Sequence, residues 1–403
     1  MKYLSAIASL VLAATALGQT STKAPSFTLA WSEYPSWSAL DVASSVGLID
    51  GRKGFQGELE KKYNVDIELK LLDYDPCIQA YASNQVDAVC ITNIDILSPS
   101  VGRKSVAIMP TSTSYGGDAL IVPSNIASLE DLKGQTVYGL GKSVSEYVFV
   151  GILERNGLKA DSVSFNSMDP AQVSLALQGN DSKVKSGIVW NPFVLDTLKK
   201  RKDLKVLASS TAIPFEVLDM VVVGDDVLSR DGGANFAKCV CEAYYALNSR
   251  LNDKDESVRD STLIAIGEKF SNLGLADMRK VVQQTRFFAT AQQGLAVFSN
   301  ESLAVDGNNF IIGNPVPSAD GKVLASAKGT NLKTIMNTVV ERSNRLGIVD
   351  RAVTIGYGNS EEAKKANLRF DPQYMMAVSP NPISTGHSPM NSPPLGTGKK
   401  SVK

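Results

Sequence analysis

Histidine is nearly absent. The chain of 403 residues has one, His387, in a Pro/Ser/Gly-rich stretch. A Ser–His or Cys–His nucleophile needs an imidazole held by a folded scaffold, and most zinc sites draw on histidine or clustered cysteine. The scarcity weights the chain toward a binder and away from a hydrolase, with carboxylate or lysine chemistry left open. Cysteine is also sparse: Cys77, Cys90, Cys239 and Cys241 form no metal-binding spacing. Cys239 and Cys241 lie two apart on a predicted helix and point to different faces, so they do not pair. Cys77 and Cys90 meet if a helix packs on its following strand, and buried free thiols are the alternative. Net charge is absent, with 41 basic and 41 acidic residues. No field draws the chain to nucleic acid or an anionic membrane, and Lys199-Lys200-Arg201-Lys202 reads as a solvated helix end. No catalytic residue, metal or cofactor is assigned, and a monomer is expected.

What is present begins with an export signal. Lys2 supplies a positive start, residues 4–17 an apolar run too short to span a bilayer comfortably, and Ala14-Thr15-Ala16 and Ala16-Leu17-Gly18 the small residues of a cleavage site. Residues 1–18 are therefore expected to be removed. No cysteine stands there to take a lipid anchor, so the mature chain is expected to be periplasmic or secreted.

Hydrophobic content of 43% is ample for buried cores. From residue 27 to residue 223 short apolar strands alternate with helical segments. Strands are predicted at 27–31, 66–72, 88–91, 106–110, 119–122, 136–140, 186–190, 205–208 and 220–223. Helices are predicted at 39–46, 55–63, 76–83, 94–101, 144–156, 171–177 and 192–200, with another start signal at Ser128-Leu-Glu-Asp131. Such alternation predicts α/β architecture with mainly parallel pairing. After residue 225 helices dominate, at 234–251, 257–270, 276–284 and 332–346; residues 316–328 read as a turn-rich link, and residues 379–403 as a disordered tail. Two polar links, Thr111-Ser-Thr-Ser-Tyr-Gly-Gly-Asp118 and Ser209-Ser-Thr-Ala-Ile-Pro-Phe-Glu216, look like crossings between lobes. They predict one lobe from 26–112 and 217–375 and another from 113–216, with a ligand cleft between them.

Two motifs tempt and fail. Gly139-Leu-Gly141-Lys142-Ser143 follows a strand and opens a helix, but Thr136 stands where a Walker loop needs glycine and Val144 where a dinucleotide fingerprint needs a third small residue. The loop can still offer backbone N–H groups to a ligand. Asp73 and Asp75 are paired carboxylates, but two residues apart on one loop suits a turn or helix cap better than acid–base catalysis.

The order of four segments carries a resemblance. Asn84-Gln-Val-Asp-Ala-Val-Cys-Ile-Thr-Asn-Ile-Asp95 is followed by Ser128-Leu-Glu-Asp-Leu-Lys-Gly134, then Asp169-Pro-Ala-Gln-Val-Ser-Leu-Ala-Leu-Gln-Gly179 and Ser186-Gly-Ile-Val-Trp-Asn-Pro-Phe193. Residues 26–225 thereby resemble the solute-binding proteins of nitrate/sulfonate/taurine-type ABC importers, which share their fold with thiamine-precursor binders. Trp31-Ser-Glu-Tyr-Pro-Ser-Trp37 looks like the subset encoded near urea-carboxylase-type genes. The resemblance implies a two-lobed type II periplasmic-binding-protein fold with a two-segment hinge, and an ABC permease as partner. An insertion at 49–55 and the helical C-terminal extension depart from the family pattern.

Loops after strand C-termini are expected to face the cleft. They supply Trp31, Glu33, Tyr34, Trp37, Asp73, Thr92, Asn93, Asp95, Asp118, Ser143, Trp190 and Asn191 as candidate ligand contacts. Tyr74, Tyr115, Ser145, Glu146, Glu216 and Asp219 lie in the same loops, the last two also read as hinge residues. Aromatic and acidic groups dominate, and Lys142 is the only cation among them. That disfavours an anion and favours a small cation, guanidinium or an amine, with urea next. Nitrate, a sulfonate, taurine or a thiamine-pyrimidine precursor as ligand, and a sensory or structural role without transport, are the alternatives.

Overall fold

The computed structural model describes residues 23–306, 309–312, 329–378 and 389–390. The expected signal at 1–18, the link at 316–328 and all of the expected tail but Pro389–Met390 lie outside the described residues. The strands are β1 (Ser26–Trp31), β2 (Asp66–Leu71), β3 (Ala88–Thr92), β4 (Ser105–Ser114), β5 (Asp118–Pro123), β6 (Thr136–Gly139), β7 (Ser164–Ser167) and β8 (Gly187–Trp190). They continue as β9 (Leu204–Ser209), β10 (Leu218–Gly224), β11 (Thr285–Phe287), β12 (Leu303–Asp306), β13 (Asn309–Ile312), β14 (Ile355–Tyr357), β15 (Leu368–Phe370) and β16 (Pro389–Met390).

Two sheets form the two lobes. The larger has the order β14-β15-β4-β10-β3-β1-β2, with β11 added on β4; the smaller has the order β7-β6-β8-β5-β9. β3 and β10 are buried at every position. Their continuous apolar runs suit strands covered on both faces. Helix Gly233–Asn248 packs against helices Ser38–Ser45, Glu58–Tyr63 and Gln373–Val378. With β14 and β15 in the same sheet, much of the helical C-terminal region completes the larger lobe. Pro389–Met390 pairs with β13.

The expectation of mainly parallel pairing needs correction. β1–β2, β1–β3, β6–β7 and β6–β8 are parallel, but β10 runs antiparallel to both β3 and β4, and β5 antiparallel to both β8 and β9. The cause is the route of the chain. It leaves the larger lobe at the end of β4 and re-enters at the start of β10, so these neighbours must point in opposite directions. Leu218 pairs with Thr113 in that register, and the Ser114 N–H donates to the Val217 carbonyl at 3.1 Å.

The outward crossing is only residues 115–117, because β4 runs on to Ser114. Gly116 adopts φ +107°, a conformation that favours glycine, and its N–H donates to Ser210 Oγ of the return crossing at 2.8 Å. Ser114 Oγ and Ser210 Oγ lie 2.8 Å apart. The Tyr115 N–H donates to the Gln284 carbonyl at 2.7 Å.

Two predicted helices are shorter than expected. At Ser128 only a single turn of 3-10 helix forms, Glu130–Leu132, because Asp131 Oδ2 accepts from the N–H groups of Ala127 and Ser128 and closes a local turn. The helix expected from residue 55 starts at Glu58. Gly57 precedes it at a close approach, where a Cβ would lie 2.6 Å from the Ile49 backbone.

Candidate functional site

Between the lobes is a cavity of about 20 Å³, above the roughly 10–15 Å³ that admits a water molecule. The larger lobe contributes Ser32, Tyr34 and Trp37 after β1, Tyr74 after β2, Thr92 at the end of β3, and Asp219 on β10. The smaller lobe contributes Asp118 at the start of β5, Val144 at a helix start and Trp190 at the end of β8; Val217 comes from the return crossing. Strand ends and the loops after them thus build most of the wall.

An aromatic chain runs across the interface. Tyr34 and Trp37 have ring centroids 4.7 Å apart, Trp37 stacks on Tyr74 at 5.6 Å, and Tyr74 meets Trp190 of the other lobe edge-on at 5.6 Å. Stacked and edge-on contacts of this kind are the preferred arrangements of aromatic pairs and hold the four rings together at the interface.

Three carboxyl groups accompany the rings. Asp95, behind the wall, accepts from Tyr74 Oη at 2.8 Å, Thr92 Oγ1 at 3.0 Å and the Val144 N–H at 3.2 Å. The last bond crosses from one lobe to the first turn of helix Val144–Arg155 in the other. Asp118 has the Ser114 hydroxyl beside it. Asp219 lies 2.5 Å from Ser112 Oγ. Burial pushes Asp95 and Asp118 up to about 6. Burial, with repulsion from Asp118, raises Asp219 well above the carboxylate range. Among the described residues, no Lys or Arg stands within ion-pair distance of any of the three; the buried arginines Arg103, Arg342 and Arg369 pair with other acids.

One buried donor on the cavity wall, and two polar atoms away from it, lack partners. Trp37 Nε1, Ser145 Oγ and Asn191 Oδ1 are buried and have no hydrogen-bond partner among the described residues, whereas Tyr34 has Thr285 and Asp219 beside it and Ser143 has Asp95. Such atoms are costly unless a guest or water satisfies them.

Of the candidate contacts, Tyr34, Trp37, Thr92, Asp118 and Trp190 line the cavity, and Asp95 stands one hydrogen bond behind it. Trp31, Glu33, Asp73, Asn93, Ser143 and Asn191 are not brought to its wall. Trp31 is buried at the end of β1; Glu33 is exposed and accepts from Ser271 Oγ at 3.0 Å; Asp73 is exposed before helix Tyr74–Ala82. Asn93 braces the return crossing, donating to the Glu216 carbonyl and accepting from the Leu218 N–H. Asn191 donates to Gln284 Oε1 at 2.8 Å, tying β8 to the segment before β11. Ser143 precedes helix Val144–Arg155. Ser32, Val144 and Val217 escaped the sequence reading. Asp219, read there both as a cleft-facing and as a hinge residue, lies on the cavity wall next to a register shift at which Thr111 of β4 is left without a partner on β10. All four cysteines are buried free thiols.

A second feature ties the lobes. Glu216 Oε2 is held by Arg342 from helix Leu332–Arg345 and by Tyr147 Oη at 2.8 Å, and Glu216 Oε1 by Arg155 at 3.0 Å. Arg342 also pairs with Glu154 at 3.1 Å.

No protein-family model matches the sequence, and no curated protein matches it. Solved structures do. The periplasmic aliphatic sulphonate binding protein SsuA of Escherichia coli superposes with a TM-score of 0.51 at 18% identity, covering 65% of this chain and 80% of that one. The periplasmic nitrate-binding protein NrtA of Synechocystis PCC 6803 gives 0.55 at 12% identity over 88% of each chain. A conserved Candida albicans gene product with the generic periplasmic binding protein fold gives 0.54 at 14%, covering 85% of this chain and 96% of its own. At these identities the likeness establishes architecture: the chain has the two-lobed type II periplasmic-binding-protein fold, hinged on two crossing segments.

Proposed function

We propose that the protein captures a small organic cation, guanidinium or a simple amine, between its lobes and hands it to an ABC importer outside the cytoplasm. The observation that carries this reading is the set of three buried carboxyl groups, free of any Lys or Arg partner among the described residues, beside the rings of Tyr34, Trp37, Tyr74 and Trp190. A cation supplies the missing charge, and each ring face adds roughly 0.5–2 kcal/mol. The sulphonate and nitrate binders share the fold, but an anion would meet carboxylates in this cavity, and Lys142 is exposed. The fold supports capture by closure of two lobes on a guest, without bond chemistry.

Urea is the second reading. The unpartnered Trp37 Nε1–H favours it, since that group can donate to a carbonyl oxygen and a guanidinium offers no acceptor. Calorimetric titration of the mature protein with guanidinium, methylammonium, urea, taurine and nitrate decides between these. Binding of the cations and not of the anions is expected. Tight binding of nitrate or taurine with no response to the others overturns the proposal.

A further inference from the structure

The hydrogen bonds around the three carboxyl groups are unequal. Asp95 receives three donors, one from a helix N-terminus, an arrangement that favours its anion. Asp219 touches a chain of hydroxyls instead. Its Oδ2 lies 2.5 Å from Ser112 Oγ, which lies 2.8 Å from Ser36 Oγ; Ser36 Oγ lies 3.0 Å from Thr111 Oγ1. A serine hydroxyl has one proton to give. With that proton on the Ser36 bond, the short Ser112–Asp219 contact requires a proton on the carboxyl. With Asp219 ionised, Ser112 turns its proton to Asp219 and accepts one from Ser36 instead. The chain therefore accommodates both states of Asp219 by rotation of hydroxyls.

We infer that Asp219 carries a proton while the cavity is empty and sheds it to solvent as a cation enters, so that capture exchanges one positive charge for another. The carboxyl O–H bond breaks, the proton passes to water, and the carboxylate accepts an N–H of the guest. This inference rests on the cation reading. The titratable groups around Asp219 supply no positive charge: Asp118 on β5, Tyr34 after β1, Cys90 on β3 and Tyr244 on helix Gly233–Asn248 are each neutral or anionic. Asp95 lies near Asp118, and Arg286 on β11 faces the rings of Tyr115 and Phe310. The hydroxyl chain serves either state; the place of Asp219 decides between them. It is buried on the cavity wall beside Asp118 with no Lys or Arg partner among the described residues, and burial and the Asp118 charge raise it accordingly.

The test is titration of the mature protein with guanidinium chloride at pH 7.5 in phosphate and in Tris, whose ionisation enthalpies differ. The expected result is release of about 0.5–1 proton per guest, with affinity rising by up to tenfold per pH unit below the Asp219 transition. Asp219→Asn is expected to bind more weakly and to lose the buffer dependence. Binding that is indifferent to buffer, or a buffer dependence that survives in Asp219→Asn, overturns the exchange while leaving the cation reading intact. No heat with guanidinium or methylammonium in either buffer rejects the cation reading and the exchange together. Infrared titration of the empty protein gives an independent readout: a protonated-carboxyl band at neutral pH that disappears in Asp219→Asn is expected, and its absence from the wild-type protein overturns the proton assignment whatever the guest.

Discussion

The main-chain N–H of Val144 donates to Asp95 Oδ1 at 3.2 Å. One lobe thus places a carboxylate on the first turn of a 12-residue helix belonging to the other. The bond needs the lobes together, and the helix dipole strengthens it. Asp95→Ala removes it and takes away the acceptor for the hydroxyl protons of Tyr74 and Thr92. Guanidinium affinity is expected to fall about tenfold or more, since hydrogen bonds to a charged group are worth about 1.5–3 kcal/mol. Small-angle scattering should show a more open ligand-free particle; an unchanged profile and affinity would refute this role.

Asp118→Asn keeps the shape of the wall and removes a charge. Loss of a charge-assisted contact to the guest is expected to cost about 10- to 100-fold in guanidinium affinity, while urea, being neutral, loses far less. Equal losses for both guests in calorimetry would argue against a role for the Asp118 charge.

The ligand-free protein should lose stability as pH rises through the acid range. Asp95 and Asp118 are raised to about 6 in the fold from a value of 3.8. A raised carboxyl binds more protons folded than unfolded, so folding is favoured at low pH; stability falls between about pH 4 and pH 6 on account of these two groups, and goes on falling above pH 6 while Asp219 holds its proton. The cost at neutral pH is on the order of 3 kcal/mol for each group. Thermal melts of Asp118→Asn should therefore exceed wild type at pH 7 and converge with it near pH 4. A difference independent of pH would contradict the shift.

Arg342 reaches Glu216 and Glu154 from a helix more than a hundred residues later in the chain. Arg342→Met leaves Glu216 buried with only the half-exposed Arg155 and Tyr147 as partners. Breaking such a buried pair typically costs about 3–5 kcal/mol, a loss to be read in urea melts. The double variant Arg342→Met, Glu216→Met should recover a good part of it. If the double variant is no better than the single, the loss comes from packing rather than charge.

The alternating pattern up to residue 223 placed most strands and helices within a few residues, because buried apolar runs and glycine stops are local signals. Strand direction was not legible: nothing in the run of β10 says that the chain arrives from another lobe. β7 was missed because Ser164–Ser167 is polar and largely solvent-facing, and β11, β14 and β15 are three residues each, too short for a period. Helix Ala291–Phe298 had a readable start, Thr290 and Gln293 forming a capping box. In the cavity, Tyr34, Trp37, Thr92, Asp118 and Trp190 follow from reading loops after strands. Asp219 was read in those loops as well, but with the hinge as its other reading, and sequence alone does not decide between the two. Trp31 and Asn93 look like contacts in sequence and serve packing and the hinge in space.

The Ser114–Val217 bond joins the points where the chain departs for the smaller lobe and returns. Everything between them is one uninterrupted stretch whose ends are neighbours, inserted into a body already closed by the chain's early and late strands. Exchanging that stretch alone would replace Asp118, Val144 and Trp190 as a set and keep Tyr34, Trp37, Tyr74 and Asp219, so one half of the guest's surroundings can be redesigned without touching the other.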